Sequence, residues 1–464
     1  MEDLKKDRVF YYFSKIMQIP RPSGHEKEIS DFLVSTGKKL GLETYQDENL
    51  NVILKRKASE GYENSPKIAI QGHMDMVGSK SDDSDHDFLK DPIRPKIDGD
   101  YLKAQDTTLG ADNGIAIAMG LALLEDYTGP AIELLITTEE ETSMNGALSL
   151  SDDILEADYL INLDSEEEGI LTVGSAGGLT VFVSEDIKKE DEKKCFEVKV
   201  SGLLGGHSGM DIDLNRSNAL KVISYFIENL ENDIVLGEMK SGSLDNVIPS
   251  SGSFKVFNTS EESLKNAKDK TLDKFSDVDG DLKIDFKESQ ARPYSKDLSD
   301  KIKALIRDIP TGVNSFMDDK KTVESSNNLA FVKEEDGKIK CEISIRSSDE
   351  DKLSFLKNEI CETLDEIGLS YKLGSAYPGW EYNKDSKLRV LAQDLYKKLY
   401  DKDFETIVIH AGLECGAIYE KYPNLDIISI GPNIKGAHST DERLEINSSK
   451  RVYEYLKELI KEIK

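Results

Sequence analysis

KIAIQGHMD (67–75) is a short apolar run that ends in a glycine, an imidazole and a carboxylate. Its first five residues have the length and composition of a buried strand. The same grammar recurs along the chain. AIELLIT (131–137) leads through Thr138 into Glu139, Glu140 and Glu141; YLINL (159–163) leads into Asp164; DIISI (426–430) leads through a glycine-containing loop to His438. Between the first two, IAIAMGLALLEDY (115–127) is long enough for a buried helix and follows Asp112 closely. Alternation of this kind predicts an α/β fold, a sheet with helices on its faces. Sites in open α/β sheets form beyond the carboxyl ends of the strands, so these segments are expected to share one crevice.

Outward from this frame the texture changes. GSAGG (174–178) interrupts the pattern and the charge-dense SEDIKKEDEKK follows shortly after. Beyond it CFEVKVS, GSFKVF, LKIDF and KIKCEISIR alternate polar and apolar residues, as strands with one solvated face do. Amphipathic helices such as DKLSFLKNEICETLDEI lie among them. The expected organisation is a first domain in two parts, 1–178 and 377–464, with an α+β domain, 179–376, inserted between them. The inserted domain is large enough for two similar halves, although no residue-level repeat is visible.

The chain has 464 residues, 38% hydrophobic and 32% charged, a balance suited to a folded globular protein. Acids outnumber bases 89 to 60, giving a formal charge of −29. That field repels phosphate backbones and anionic membranes, so nucleic acid and lipid are poor candidates for partners, while small molecules and metal cations remain. The first residues lack the basic start and apolar core of a signal peptide, and no apolar run reaches a membrane-spanning length. The four cysteines, Cys195, Cys341, Cys361 and Cys415, have no paired spacing and read as reduced thiols in a cytoplasmic protein.

Taken singly, each chemical element has a plain structural explanation. Glu139 to Glu141 can be a solvated run, Asp112 an N-cap, and His73 with Asp75 a chance pairing. Their joint placement after successive strands argues otherwise. His73, His438 and several carboxylates form a donor set suited to zinc or another borderline divalent ion.

GHMDMV, LGADNGIA, TEEETSMNGA, LINLDSEEEG, SAGG, GGHSG, NVIP, AYPGW, HAGLECG and IGPNIKGAHS occur in this order between residues 21 and 439. Together they resemble the aminoacyl-histidine (Xaa-His) dipeptidases. These belong to the di-zinc metallopeptidases that include carnosinases, peptidase T and aminoacylases. The resemblance implies a zinc-peptidase-like catalytic domain with the inserted domain as a lid, and a homodimer formed through that lid. It implies two metals, zinc in the first instance with manganese or cobalt as alternatives. His73, Asp112 and Asp164 would hold one; Asp112, Glu141 and His438 would hold the other. Asp75 would orient His73, and Glu140 would act as general base. His207 in GGHSG would donate to the oxyanion, in similar enzymes often from a partner subunit. Asn246 and Arg346 resemble residues that bind a substrate carboxylate, and Glu414 is a candidate for the peptide amine. His410 shares its motif and receives no role, nor do His25 and His86. Ser143 departs from the pattern by standing where its first glycine usually falls, so a different local turn is expected. The implied reaction is hydrolysis of short peptides with a free N-terminus. An N-deacylase on the same scaffold and a metal-dependent binding protein without turnover are the alternatives.

Overall fold

The computed structural model describes residues 3–464, which divide into two compact units. The first comprises 3–174, 380–408 and 413–464; the second comprises 175–379 together with a short return, 409–412, that the sequence division does not contain.

In the first unit an eight-stranded mixed sheet runs in the order Glu43–Gln46, Val52–Arg56, Ile132–Thr137, Ile68–His73, Tyr159–Asn162, Asp426–Ser429, Ile170–Ser175 and Glu405–Ile409. Its four central strands are parallel, with Ile68 level with both Ile132 and Tyr159 and Ile427 level with Leu160. The carboxyl ends of the four strands therefore point the same way. Burial on both faces explains why they read as unbroken apolar runs rather than alternating ones. The helix Ala111–Glu125 shows the same logic: every residue from Ala111 to Leu124 is buried, so it carries no polar stripe. It lies so close to the strand Ile68–His73 that a β-carbon on Gly72 would overlap the Asn113 side chain and come within 2.8 Å of the Ala116 β-carbon. Glycine in QGHMD is thus a condition for the helix and strand to meet. Helices Arg8–Ile16, Lys387–Tyr400 and Ile446–Glu462 contribute Phe13, Leu388 and Leu456 to the same core.

The second unit is built on an antiparallel sheet in the order Lys283–Ala291, Lys193–Ser201, Gly252–Phe257, Val235–Ser241, Val323–Glu335, Lys338–Ser347, Gly177–Asp186 and Tyr371–Leu373, with Gly312–Phe316 also paired to Val323–Glu335. Alternate residues such as Val198, Val200, Phe254, Val256, Ile343 and Ile345 join one core with the helices Ala219–Glu228, Lys296–Asp308 and Glu350–Ile367. Asn218, Ser295 and Asp349 begin these helices and accept hydrogen bonds from their first N–H groups. Among the described residues no helix is long and apolar enough to cross a membrane, and the four cysteines are free thiols.

Candidate metal centre

His73 closes its strand and is 1% exposed. Its Nε2 lies 3.2 Å from Asp112 Oδ1, 3.4 Å from Asp164 Oδ1 and 3.9 Å from Glu140 Oε2. Its Nδ1 faces Asp75 Oδ1 at 3.3 Å. Asp75 is fully buried and also accepts hydrogen bonds from the backbone N–H groups of Glu140 and Glu141 and from the Ser23 hydroxyl. One carboxylate thereby orients the imidazole and fixes the glutamate pair. Burial acts to raise the Asp75 pKa, yet the hydrogen bond and charge of His73 outweigh it and keep Asp75 below the usual range.

Asp112 stands between the two histidines. Oδ1 faces His73, and Oδ2 lies 3.1 Å from His438 Nε2, which is 2.9 Å from Glu141 Oε2. Two three-donor groups result, His73/Asp112/Asp164 and Asp112/Glu141/His438, and within each the ligand atoms all lie within 4.8 Å of one another. A third set, His73/Glu140/Glu141, satisfies the same spacing. Burial pushes Asp164 up to about 6 against the pull of His73. Burial likewise lifts Glu140 well above the ordinary carboxylate range, opposed by His73 and aided by Asp164 and Glu141. Hydrogen bonds to the Asp112 and Glu141 carboxylates raise His438 to about 11. This many carboxylates around two imidazoles, with Glu141 Oε1 buried and unpartnered, is a donor set that divalent cations fit.

Three supporting residues were not identified from sequence. Glu442 accepts hydrogen bonds from Leu109, Gly110, Ala111 and Asp112 N–H groups, so the cap of the Asp112 helix comes from a residue more than 300 positions away and not from Asp112. Arg21, 2% exposed, donates to the carbonyls of Met74 and Asp75 at 2.8 and 2.7 Å and to that of Gly110 at 2.5 Å, tying the His73 loop to the Asp112 loop. Asn113 accepts from the His73 N–H and donates to the Leu163 carbonyl. No local pattern marks Arg21 or Glu442; only the fold makes them neighbours.

Glu414 has no exposed surface. Its Oε2 accepts from Gln71 Nε2 at 2.7 Å and Thr137 Oγ1 at 2.6 Å, and burial raises it to about 8. Oε2 thus braces the ends of two neighbouring strands, while Oε1 is buried without a hydrogen-bond partner. Ser143 itself needs no positive φ angle, since those of the loop fall at Glu139 (56°) and Met144 (53°).

The other candidates lie in the second unit. Gly206–His207 pairs with Val247–Ile248, and His207 Nδ1 accepts from the Gly209 and Met210 N–H groups at 3.1 and 3.0 Å. That leaves the ring proton on Nε2, the tautomer a hydrogen-bond donor needs. The Asn246 carbonyl accepts from Ser208 N–H at the end of this pairing. Arg346 donates to the Tyr377 hydroxyl at 2.7 Å, and among the described residues no carboxylate pairs with it. His410 Nε2 lies 2.7 Å from Ser326 Oγ; burial and the nearby Arg346 charge push its pKa down to about 3, so the ring is neutral.

A mixed α/β sheet whose parallel central strands carry two adjacent donor groups with a shared carboxylate defines a class of metal-binding hydrolase scaffold. Residues 69–462 match the model of peptidase family M20/M25/M40, and the chain belongs to that family. It is 35% identical over 492 residues to the cytosol non-specific dipeptidase of Escherichia coli (strain K12), covering all of this chain and 99% of that protein. The crystal structure of aminoacylhistidine dipeptidase from Vibrio alginolyticus superimposes with a TM-score of 0.86 at 33% identity, over 98% of this chain and 96% of that one. Human carnosine dipeptidase 1 shares the fold, with a TM-score of 0.55 at 12% identity over 99% and 97% of the two chains.

Proposed function

We propose that the chain is a dipeptidase that hydrolyses dipeptides with a free N-terminus, Xaa-His among them, using two divalent ions, zinc in the first instance. The observation that carries this reading is Asp112, whose two oxygens face two histidines in two donor groups. When bound at such a pair, divalent ions lower the pKa of water and polarise a carbonyl. The residues of the chain do the rest. Asp75 holds the His73 ring and, through two backbone N–H groups, the glutamate pair. Glu140 lies beside the ligand atoms without being needed in either main group, so it is free to take a proton from water and return it to the leaving amine. Its raised affinity for protons suits both halves of that task. His207, with its ring proton on Nε2, stabilises the oxyanion, and donation from the partner subunit of a homodimer is one route by which it reaches the substrate. Arg346, a cation without a carboxylate partner in a chain of 89 acids, takes the substrate carboxylate together with Asn246. Glu414, with one carboxylate oxygen buried and unpartnered, is the candidate for the peptide amine. A cytoplasmic location accompanies this reading and agrees with four free thiols.

The decisive experiment is a substrate panel on metal-reconstituted protein. Ala-His and other free dipeptides should turn over, while an N-acetyl amino acid should not. Preference for the acetylated compound would replace the dipeptidase by an N-deacylase, and no turnover of either would leave a binding protein.

A further inference from the structure

SAGG and AYPGW stand out in the sequence, and neither contributes a ligand or a proton-transfer group. The sheet register shows what they build. Ser326 lies opposite Arg346, Arg346 opposite Gly178, and Gly178 opposite Tyr377, one row across four chain segments. Residues directly opposite in antiparallel pairs place their side chains on the same face. Gly178 leaves a gap in that row. Adjacent strands are about 4.8 Å apart, so the Arg346 and Tyr377 backbones are separated by about 10 Å, too far for ordinary cross-strand neighbours. The tyrosine ring lies across the gap instead: a β-carbon on Gly178 would overlap its hydroxyl and ring. Gly177 and Gly379 bring the two segments together, since a β-carbon on Gly177 would come within 2.6 Å of Gly379 N. At the end of this reach the Tyr377 hydroxyl accepts from Arg346 Nη1 at 2.7 Å. On the other side of Arg346, Ser326 engages the neutral His410 ring.

We propose that Tyr377, carried across Gly178, is a positioning residue that fixes the Arg346 guanidinium so that its remaining N–H groups meet the carboxylate of the substrate. The idea rests on the carboxylate role given to Arg346 above. Guanidinium and carboxylate meet best as two parallel hydrogen bonds, which demand a fixed plane. Arg346 is half-buried, and Tyr377 is the partner that holds it through Nη1. The two glycine motifs thus serve substrate selection at a distance in sequence of about 170 to 200 residues, which no local reading reveals.

The test uses the full metal-loaded enzyme and two substrates, Ala-His and its C-terminal amide. Tyr377→Phe should raise KM for the acid about tenfold, leave kcat within about twofold, and leave both parameters for the amide within about twofold. Arg346→Met should abolish the preference for acid over amide. The amide, assayed on the same preparations, reports the folded and active fraction. An unchanged KM for the acid in Tyr377→Phe, or equal losses on both substrates, overturns the positioning role while leaving the Arg346 reading intact. Retention of the acid preference by Arg346→Met overturns that reading and the positioning role with it.

Discussion

Glu442→Gln isolates the support of Asp112, the carboxylate common to both donor groups, without touching a member of either group. Each oxygen of Glu442 serves two backbone donors: Oε2 those of Leu109 and Gly110, Oε1 those of Ala111 and Asp112. An amide of the same shape keeps one oxygen and turns an NH2 group toward the other two donors. Hydrogen bonds to a charged group contribute about 1.5 to 3 kcal/mol each, so losing two costs about 3 to 6 kcal/mol before the loop relaxes. The change also removes the chief countercharge of buried Arg21, which burial already drives toward the neutral form. A net destabilisation of about 3 kcal/mol is expected after relaxation. Because Asp112 N–H is among the four donors, the carboxylate shared by the two donor groups loses its fixed origin, and metal affinity should fall by about tenfold or more. Urea unfolding reads the first effect and competition with a chromophoric chelator the second. A variant within about 0.5 kcal/mol of the parent, with unaltered affinity for the metal, refutes the reasoning.

Other consequences follow from the same geometry. Glu140→Gln should lower kcat by a factor on the order of 10² to 10⁴ with near-normal metal content, whereas Glu141→Gln should deplete metal; exchanged phenotypes, seen by elemental analysis, would reverse the assignment of the pair. His207→Ala should keep its metal and its fold while losing about 10²-fold or more in kcat, and mixing it with Asp112→Ala should restore one working site if the histidine is donated between subunits. Recovery in exchanging dimers marks a shared site; its absence with proven exchange places His207 in cis. His410 has its pKa pushed down to about 3 in the folded protein against about 6.5 unfolded. Below pH 6.5 the unfolded chain binds a proton that the folded one refuses, so stability falls as the pH drops from 6.5 toward 3. At pH 5 this amounts to about 2 kcal/mol relative to pH 7. His410→Gln should lose that much less between the two pH values, and an equal loss by both proteins would show that the ring is charged.

The central strands were legible because burial on both faces writes them as plain apolar runs, and the strand-end rule turns those runs into a site. KIAIQ, AIELLIT, YLINL and DIISI correspond to strands Ile68–His73, Ile132–Thr137, Tyr159–Asn162 and Asp426–Ser429. The helix after Asp112 was legible for the same reason, but its cap was not. An aspartate ahead of a helix looks like an N-cap, while here the donors are taken by Glu442 and Asp112 is left to face two imidazoles. Arg21 and Glu442 are invisible to local reading, since their partners lie tens to hundreds of residues away and depend on how loops from separate strands are stacked. Glu414 is only half legible in its motif: the bracing of Oε2 by Gln71 and Thr137 depends on strand ends that the fold alone brings together, while Oε1 stays buried without a hydrogen-bond partner. The departure at Ser143 predicts a different local turn, and the positive φ angles of this loop fall four residues before it, at Glu139, and one residue after it, at Met144.

The most direct test of the account is to count metal ions against activity. Elemental analysis of the reconstituted protein should give about two divalent ions per chain, with Asp112→Ala losing both activity and most of its metal, because that one side chain belongs to both donor groups. A chelated preparation that keeps full turnover with one ion or none would contradict the account.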